Sequence, residues 1–206
     1  MRIVLIGKQG SGKGTQAALL SKRFRMQWVY PGNILREISK KKTPIGKRVK
    51  AFIDKGKLAP HEITNRLVIT RLKKLNSFVL DGFPRHTSQL RALNKSKLPI
   101  DKVILLKISD KTAIERLSGR LTCVCGETYH EKYKRPKKDL LCDKCGRKLF
   151  KRADDTKQAI EKRIAIFKKE SKPVINFYKK KGSLVEASAE GSAEEVFRRI
   201  LKVLKD

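Results

Sequence analysis

The chain has 206 residues, enough to bury a real core in one domain with room for a small inserted subdomain. Its 51 Lys and Arg against 20 Asp and Glu give a formal charge of +31, spread along the chain rather than kept in a tail; such a field favours polyanions (nucleotides, nucleic acid, anionic lipid) and leaves the fold open. No run approaches the roughly 18 apolar residues of a membrane span, and Ile3 to Ile6 ahead of Gly7 is too short for a signal peptide, so the reading is a cytoplasmic protein whose four cysteines are metal ligands or free thiols rather than disulfides.

In chain order, IVLI at 3–6 predicts a buried strand, and a helical pattern at 13–24 follows the glycine-rich GKQGSGKGTQ. QWVY at 27–30 is a weaker strand, YPGNILREI puts Arg36 at the start of a helix, and further helical patterns cover 45–55 and 61–75. FVL at 78–80 is a strand that runs into LDGFPRHTSQL; VILLKI at 103–108 is another, followed by a helical pattern at 110–118. From about Leu121 to Lys151 there is no helical period, and all four cysteines lie there. A long helix at 156–181, a strand SLVEA at 183–187 and a helix at 193–204 complete the chain. Short apolar runs alternating with helices predict an α/β fold: a five-stranded parallel sheet covered by helices on both faces.

The first loop carries the clearest chemistry. A strand, a glycine loop and a helix starting near Lys13 place unpaired amides and the positive end of the helix dipole toward an anion, and glycines allow its close approach. Gly7, Gly12 and Lys13 meet the P-loop pattern, so the fold is P-loop NTPase-like; Gly14 stands where the pattern has Ser or Thr, and the hydroxyl arrives one residue late, at Thr15. Direct ligation of Mg²⁺ by Thr15 is therefore in question.

Arginines recur at a distance: Arg36, Arg85, Arg116, Arg120, Arg152 and Arg163, with Asp81, Gln89, Asp154 and Asp155 among them. Phosphoryl transfer needs spread negative charge to be positioned and neutralised, and the planar guanidinium does both. Asp81 ends an apolar run, the place for a carboxylate that holds Mg²⁺ through water, or else for a simple turn cap. His61, His86 and His130 form no constellation with a serine or cysteine, so an acceptor that is itself an ionised phosphate suits the chain.

Cys123-Val-Cys125, 16 residues, then Cys142-Asp-Lys-Cys145 comes close to the paired CxxC spacing of a structural zinc site, the first pair being one residue short. The segment is poor in apolar surface, and a metal would substitute for a core.

GKQGSGKGTQ, PGNILR, LDGFPR, RLSGR and KRADD, in this order, resemble an adenylate kinase of the long-lid form, within the nucleoside monophosphate kinase family. The resemblance implies Mg²⁺-dependent conversion of ATP and AMP to two ADP, for adenine nucleotide homeostasis, by a monomer. It implies a core of 1–30, 61–120 and 153–206, a helical monophosphate-binding portion at 31–60, and a lid at 121–152 of the type that carries structural Zn²⁺ on Cys123, Cys125, Cys142 and Cys145. By matching motif, Gly10, Ser11, Gly12, Lys13, Gly14 and Thr15 would hold ATP phosphates, with Arg120, Thr128, Tyr129 and the backbone of Ala193 also near the donor. Pro31, Arg36, Lys57, Leu58, Ala59, Gly82, Phe83, Pro84, Arg85 and Gln89 would contact AMP. Arg152 and Arg163 would reach the phosphates from the lid side, and Lys13, Arg85, Arg120, Arg152 and Arg163 would be catalytic. Pro31-Gly32-Asn33 departs from the family's Thr-Gly-Asp, and Pro31 has neither hydroxyl nor amide proton to give the AMP base.

Two alternatives stay open: a UMP/CMP-type kinase of the same fold, motivated by Pro31, and a nucleic-acid-binding P-loop protein, motivated by the charge and by YHEKYKRPKK in a basic zinc module.

Overall fold

The computed structural model describes residues 1–55, 59–153 and 155–205. Five parallel strands form one sheet: β1 (Arg2–Ile6), β2 (Gln27–Val29), β3 (Phe78–Asp81), β4 (Lys102–Lys107) and, seventh in the chain, β7 (Leu184–Ser188), in the order β2-β3-β1-β4-β7. The remaining two strands, β5 (Arg120–Thr122) and β6 (Thr128–His130), make a separate antiparallel hairpin. The helices are α1 (Lys13–Phe24), α2 (Pro31–Ser39), α3 (Pro44–Asp54), α4 (His61–Leu72), α5 (Thr87–Lys95), α6 (Asp110–Ser118), α7 (Lys157–Lys180) and α8 (Ala193–Lys205).

The sheet is buried on both faces, which explains why its strands read as continuous apolar runs. Ile3, Leu5, Val79, Ile104 and Leu106 point to one side and pack with Leu20, Leu117, Ile160, Ile164 and Ile200. Val4, Ile6, Phe78, Leu80 and Val103 point to the other and meet Ile34, Val68, Leu72, Leu93, Val174 and Tyr178. The long helix α7 therefore contributes its first half to one core and its second half to the other.

Central strand β1 has β3 on one side and β4 on the other, so the strand order reverses at β1. Its carboxyl end is the topological switch point, where open α/β sheets leave a crevice for ligands. The loop from Gly7 to Gly12 opens there.

Two helices depart from the sequence reading. α2 begins at Pro31, whose fixed φ and missing amide suit the first helical position, and Arg36 lies in its last turn rather than at its start. α5 has nine residues, too few for a periodic pattern to stand out after Pro84, and it is placed by burying Gln89, Leu90 and Leu93. The cysteine segment has a small core of its own, Leu121, Cys123, Tyr129, Cys142 and Leu149, while Val124, Tyr133, Leu140, Leu141 and Phe150 are exposed. Among the described residues no helix is long and apolar enough to cross a membrane.

Candidate active site

The glycine loop is shaped by what surrounds it. A Cβ on Gly7 would lie 3.0 Å from the Leu106 carbonyl oxygen, and one on Gly10 would lie 2.8 Å from that of Ala113, so the loop backbone is wedged against β4 and α6. Gly10 and Gly12 have φ of 83° and 77°, a region closed to most side chains. Gly12 caps α1 without a side-chain hydrogen bond, and the first turn of α1 has no acidic residue. Its amides and the partial positive charge of the helix are left for an anion. Ser11 is buried in the same loop, and its Oγ has no hydrogen-bond partner among the described residues. Thr15 is exposed on the far side of the turn.

Lys13 curls back over the loop, donating to the carbonyls of Gly7 at 2.6 Å and Lys8 at 2.9 Å. Burial lowers its pKa to about 8; Asp81 pulls it up, while Arg85 and Arg120 push it further down. Asp81, 6% exposed at the end of β3, is shifted upward by burial, against the opposing pull of Lys13, Arg85 and a hydrogen bond from the Trp28 side chain. The Cβ position of Gly14 lies 3.6 Å from both Asp81 Oδ2 and the Trp28 ring. Trp28 sits in the weakest strand of the sequence reading, and no motif singled it out.

Across a cavity of about 40 Å³ lined by Gln9, Lys13, Gly82, Arg85, Phe167 and Ser171 lies the DGFPR turn. Arg85 folds over Gly82, donating from Nε to the Gly82 carbonyl at 2.7 Å. Its amide donates to Gln89 Oε1 at 2.7 Å, and its carbonyl accepts from Ser171 Oγ at 3.1 Å. Phe83 is fully buried behind the turn and Pro84 lines the cavity. Phe167 and Ser171 come from α7, far along the chain, so no local pattern pointed to them.

Arg36 is hydrogen-bonded to Asn33 and lies over the Tyr30 ring, 5.8 Å from its centroid. Pro31 opens the same helix, and Ala59 is half-buried ahead of α4. Lys57 and Leu58 lie outside the described residues, as does Asp154.

Where the cysteine segment joins the sheet domain, one carboxylate organises two arginines. Asp155, whose side chain is 3% exposed, accepts from Arg120 at 2.8 and 2.6 Å and from Arg163 at 2.9 Å. Arg152 is exposed at the end of the cysteine segment. Arg116 ties the glycine loop to the segment before α8, donating to the carbonyls of Gly10 at 3.4 Å, Ala189 at 3.0 Å and Gly191 at 2.7 Å. Gln16 adds a second tie, from Nε2 to the Ala193 carbonyl at 2.9 Å.

The four cysteine sulfurs lie within 4.8 Å of one another, with Cys123 and Cys145 at 3.4 Å and Cys125 and Cys142 at 3.6 Å. Four thiolates at zinc–sulfur distance stand about 3.8 Å apart, so the donor set fits a tetrahedral metal. The short CxC loop closes much as the CxxC loop does. The Gly126 amide bonds the Cys123 carbonyl at 2.9 Å and that of Gly146 bonds Cys142 at 2.8 Å, both glycines having positive φ. Thr128 is exposed on the hairpin, whereas the Tyr129 side chain turns into the lid core, its hydroxyl beside Cys142.

Two of the histidines, separate in the sequence, meet: the His61 and His86 rings are 4.4 Å apart and edge-on. Burial first, then His61, lowers the pKa of His86. Its Nδ1 lies 3.1 Å from Ser88 Oγ, a local contact at the start of α5. His130 stacks on Tyr133 with 4.5 Å between centroids.

Asp155→Ala leaves two guanidiniums facing each other without their shared carboxylate. A loss of about 2 kcal/mol is expected in urea unfolding, below the cost of breaking a fully buried pair because both arginines keep some contact with water.

The adenylate kinase family model matches residues 5–183. The adenylate kinase of Caldicellulosiruptor bescii is 42% identical over 212 residues, covering 99% of this chain and 99% of that protein. That of Methanosarcina barkeri is 41% identical and covers 100% of this chain and 99% of its own length. That of Caldanaerobacter subterraneus is 42% identical, covering 99% and 96%. Since the match runs from β1 through α7 and the relatives align end to end, the chain belongs to the adenylate kinase family and is a phosphotransferase.

Proposed function

We propose that the chain interconverts ATP and AMP with two ADP, the donor phosphates in the glycine loop and the acceptor phosphate against the DGFPR turn. The observation that carries this reading is the cavity at the end of β1, which Lys13 lines from the loop and Arg85 from the turn.

In this reading the amides of Gly10 to Thr15 bind the donor phosphates, and Ser11 Oγ gains the partner it lacks. Lys13 leaves the Gly7 and Lys8 carbonyls and neutralises charge on the group in transfer. Arg36 and Arg85 hold the acceptor phosphate, and that phosphate needs no general base because it is already ionised near neutral pH. Arg120, Arg152 and Arg163 approach from the lid side and offset the charge spread over the transition state. Mg²⁺ travels with ATP, where it lowers the charge of the phosphates, and Asp81 is the residue to hold it through water.

Gln89 governs the acceptor base. Its Oε1 accepts from the Arg85 amide with one of its two lone pairs, which leaves the second lone pair and the NH₂ to meet a base edge. Pro31 offers neither hydroxyl nor amide, and Lys57 to Ala59 are read as the remaining contacts to AMP. On this basis 31–60 is the acceptor-binding portion, 121–152 the lid, and 1–30, 61–120 and 153–206 the core. Thr128 and the backbones of Tyr129 and Ala193 are read as lying near the donor. The cysteine cluster is a structural zinc site that replaces a core the lid is too small to form.

A coupled assay with ATP and each nucleoside monophosphate tests the reaction. AMP is expected to be the best acceptor, with UMP and CMP measurable because Pro31 removes a discriminating contact. Absence of ADP formation from AMP would overturn the reading.

Lys13 makes a pH prediction. The charged ammonium binds phosphate, so kcat/KM for ATP falls as pH rises through about 8; Lys13→Arg, whose charge persists, lacks this limb. In the ligand-free protein the unfolded chain holds the Lys13 proton up to pH about 10.4 and the native state only to about 8. Between those values the unfolded state binds more protons, and this group makes stability rise with pH; comparison with Lys13→Met isolates the effect.

Strong chelation or Cys142→Ser is expected to lower the melting temperature while leaving nucleotide binding at the glycine loop. An unchanged melting curve in a preparation without bound metal would refute the zinc site.

A further inference from the structure

We propose that Tyr129 is a positioning residue for the metal held by the four cysteines: its hydroxyl donates a hydrogen bond to the sulfur of Cys142 and slows release of the ion. The proposal rests on the metal reading of the cysteine cluster given above.

The geometry sets the direction of the bond. Tyr129 lies in β6 and is 5% exposed, with its hydroxyl 3.6 Å from Cys142 Sγ. The amide of Asp143 donates to the same hydroxyl oxygen at 2.8 Å. A phenol has one proton. With the oxygen already accepting from Asp143, that proton is directed to the sulfur, and a metal-bound thiolate has no proton to return.

Two further observations agree. The Lys134 ammonium stands over the Tyr129 ring, 4.9 Å from its centroid, which draws electron density from the ring and makes the hydroxyl a better donor. The phenol reaches Cys142 from the hairpin, across from the loop that carries that cysteine. Four thiolates around a divalent ion carry two net negative charges, and hydrogen bonds to sulfur disperse them. Asp143 also belongs to the CDKC loop, so Tyr129 joins the first half of the lid to the second through one sulfur and one amide.

The test compares wild type with Tyr129→Phe, which keeps the ring and removes the bond. Each protein is loaded with Zn²⁺ and, separately, with Co²⁺. Zinc release to a chromogenic chelator is expected to be at least about 10-fold faster in the variant, the scale of lost support for a metal ligand. The thiolate-to-cobalt charge-transfer bands are expected to move to lower energy, because the sulfur lone pair loses a donor. Fluorotyrosine at position 129, a stronger donor of the same shape, should move them the other way. The melting temperature should fall more in the loaded than in the metal-free protein. Unchanged release and unchanged bands, or an equal fall in both forms, would overturn the proposal and leave Tyr129 a packing residue. Wild type that takes up neither ion would overturn the metal reading itself and the proposal with it, without touching the kinase assignment.

Discussion

A buried ammonium without a full counter-charge is the constraint on which the rest of this structure depends. Lys13 is held in a crevice that water reaches poorly, and burial lowers its pKa to about 8. Two backbone carbonyls and Asp81 offset part of that cost, while Arg85 and Arg120 add to it. A site that collects this much positive charge in low dielectric is incomplete without polyanions. β4 and α6 brace the loop at Gly7 and Gly10.

The arginines obey the same constraint. Like charges cannot converge on one spot unless something holds them while the ligand is away. Asp155 holds Arg120 and Arg163, the Gly82 carbonyl holds Arg85, Asn33 holds Arg36, and loop carbonyls hold Arg116. These are neutral or single-charge partners that a phosphate can replace. These contacts hold the guanidiniums in place ahead of any ligand.

The cysteine segment solves a different problem. Its buried set is Leu121, Cys123, Tyr129, Cys142 and Leu149, too little apolar surface to hold some thirty residues together. Four sulfurs within 4.8 Å of each other form a donor set that could hold a metal where a core would be. Tyr129 shows what a motif leaves open: strand alternation turns its side chain into the core of this segment, toward Cys142.

By itself the sequence determined the local and periodic features. Buried parallel strands need unbroken apolar runs, so IVLI and VILLKI announced themselves; a phosphate loop needs glycines and Lys13 at fixed spacing; a metal loop needs paired cysteines. Each is a short-range requirement written into neighbouring residues. Tertiary structure alone decided what meets across distance: Phe167 and Ser171 of α7 beside Arg85, Trp28 beside Asp81, His61 against His86, Gln16 on Ala193, and Asp155 between two arginines. Such pairs depend on strand order and helix packing, and where a charge is buried, as at Asp81 and Asp155, little water is left to screen it.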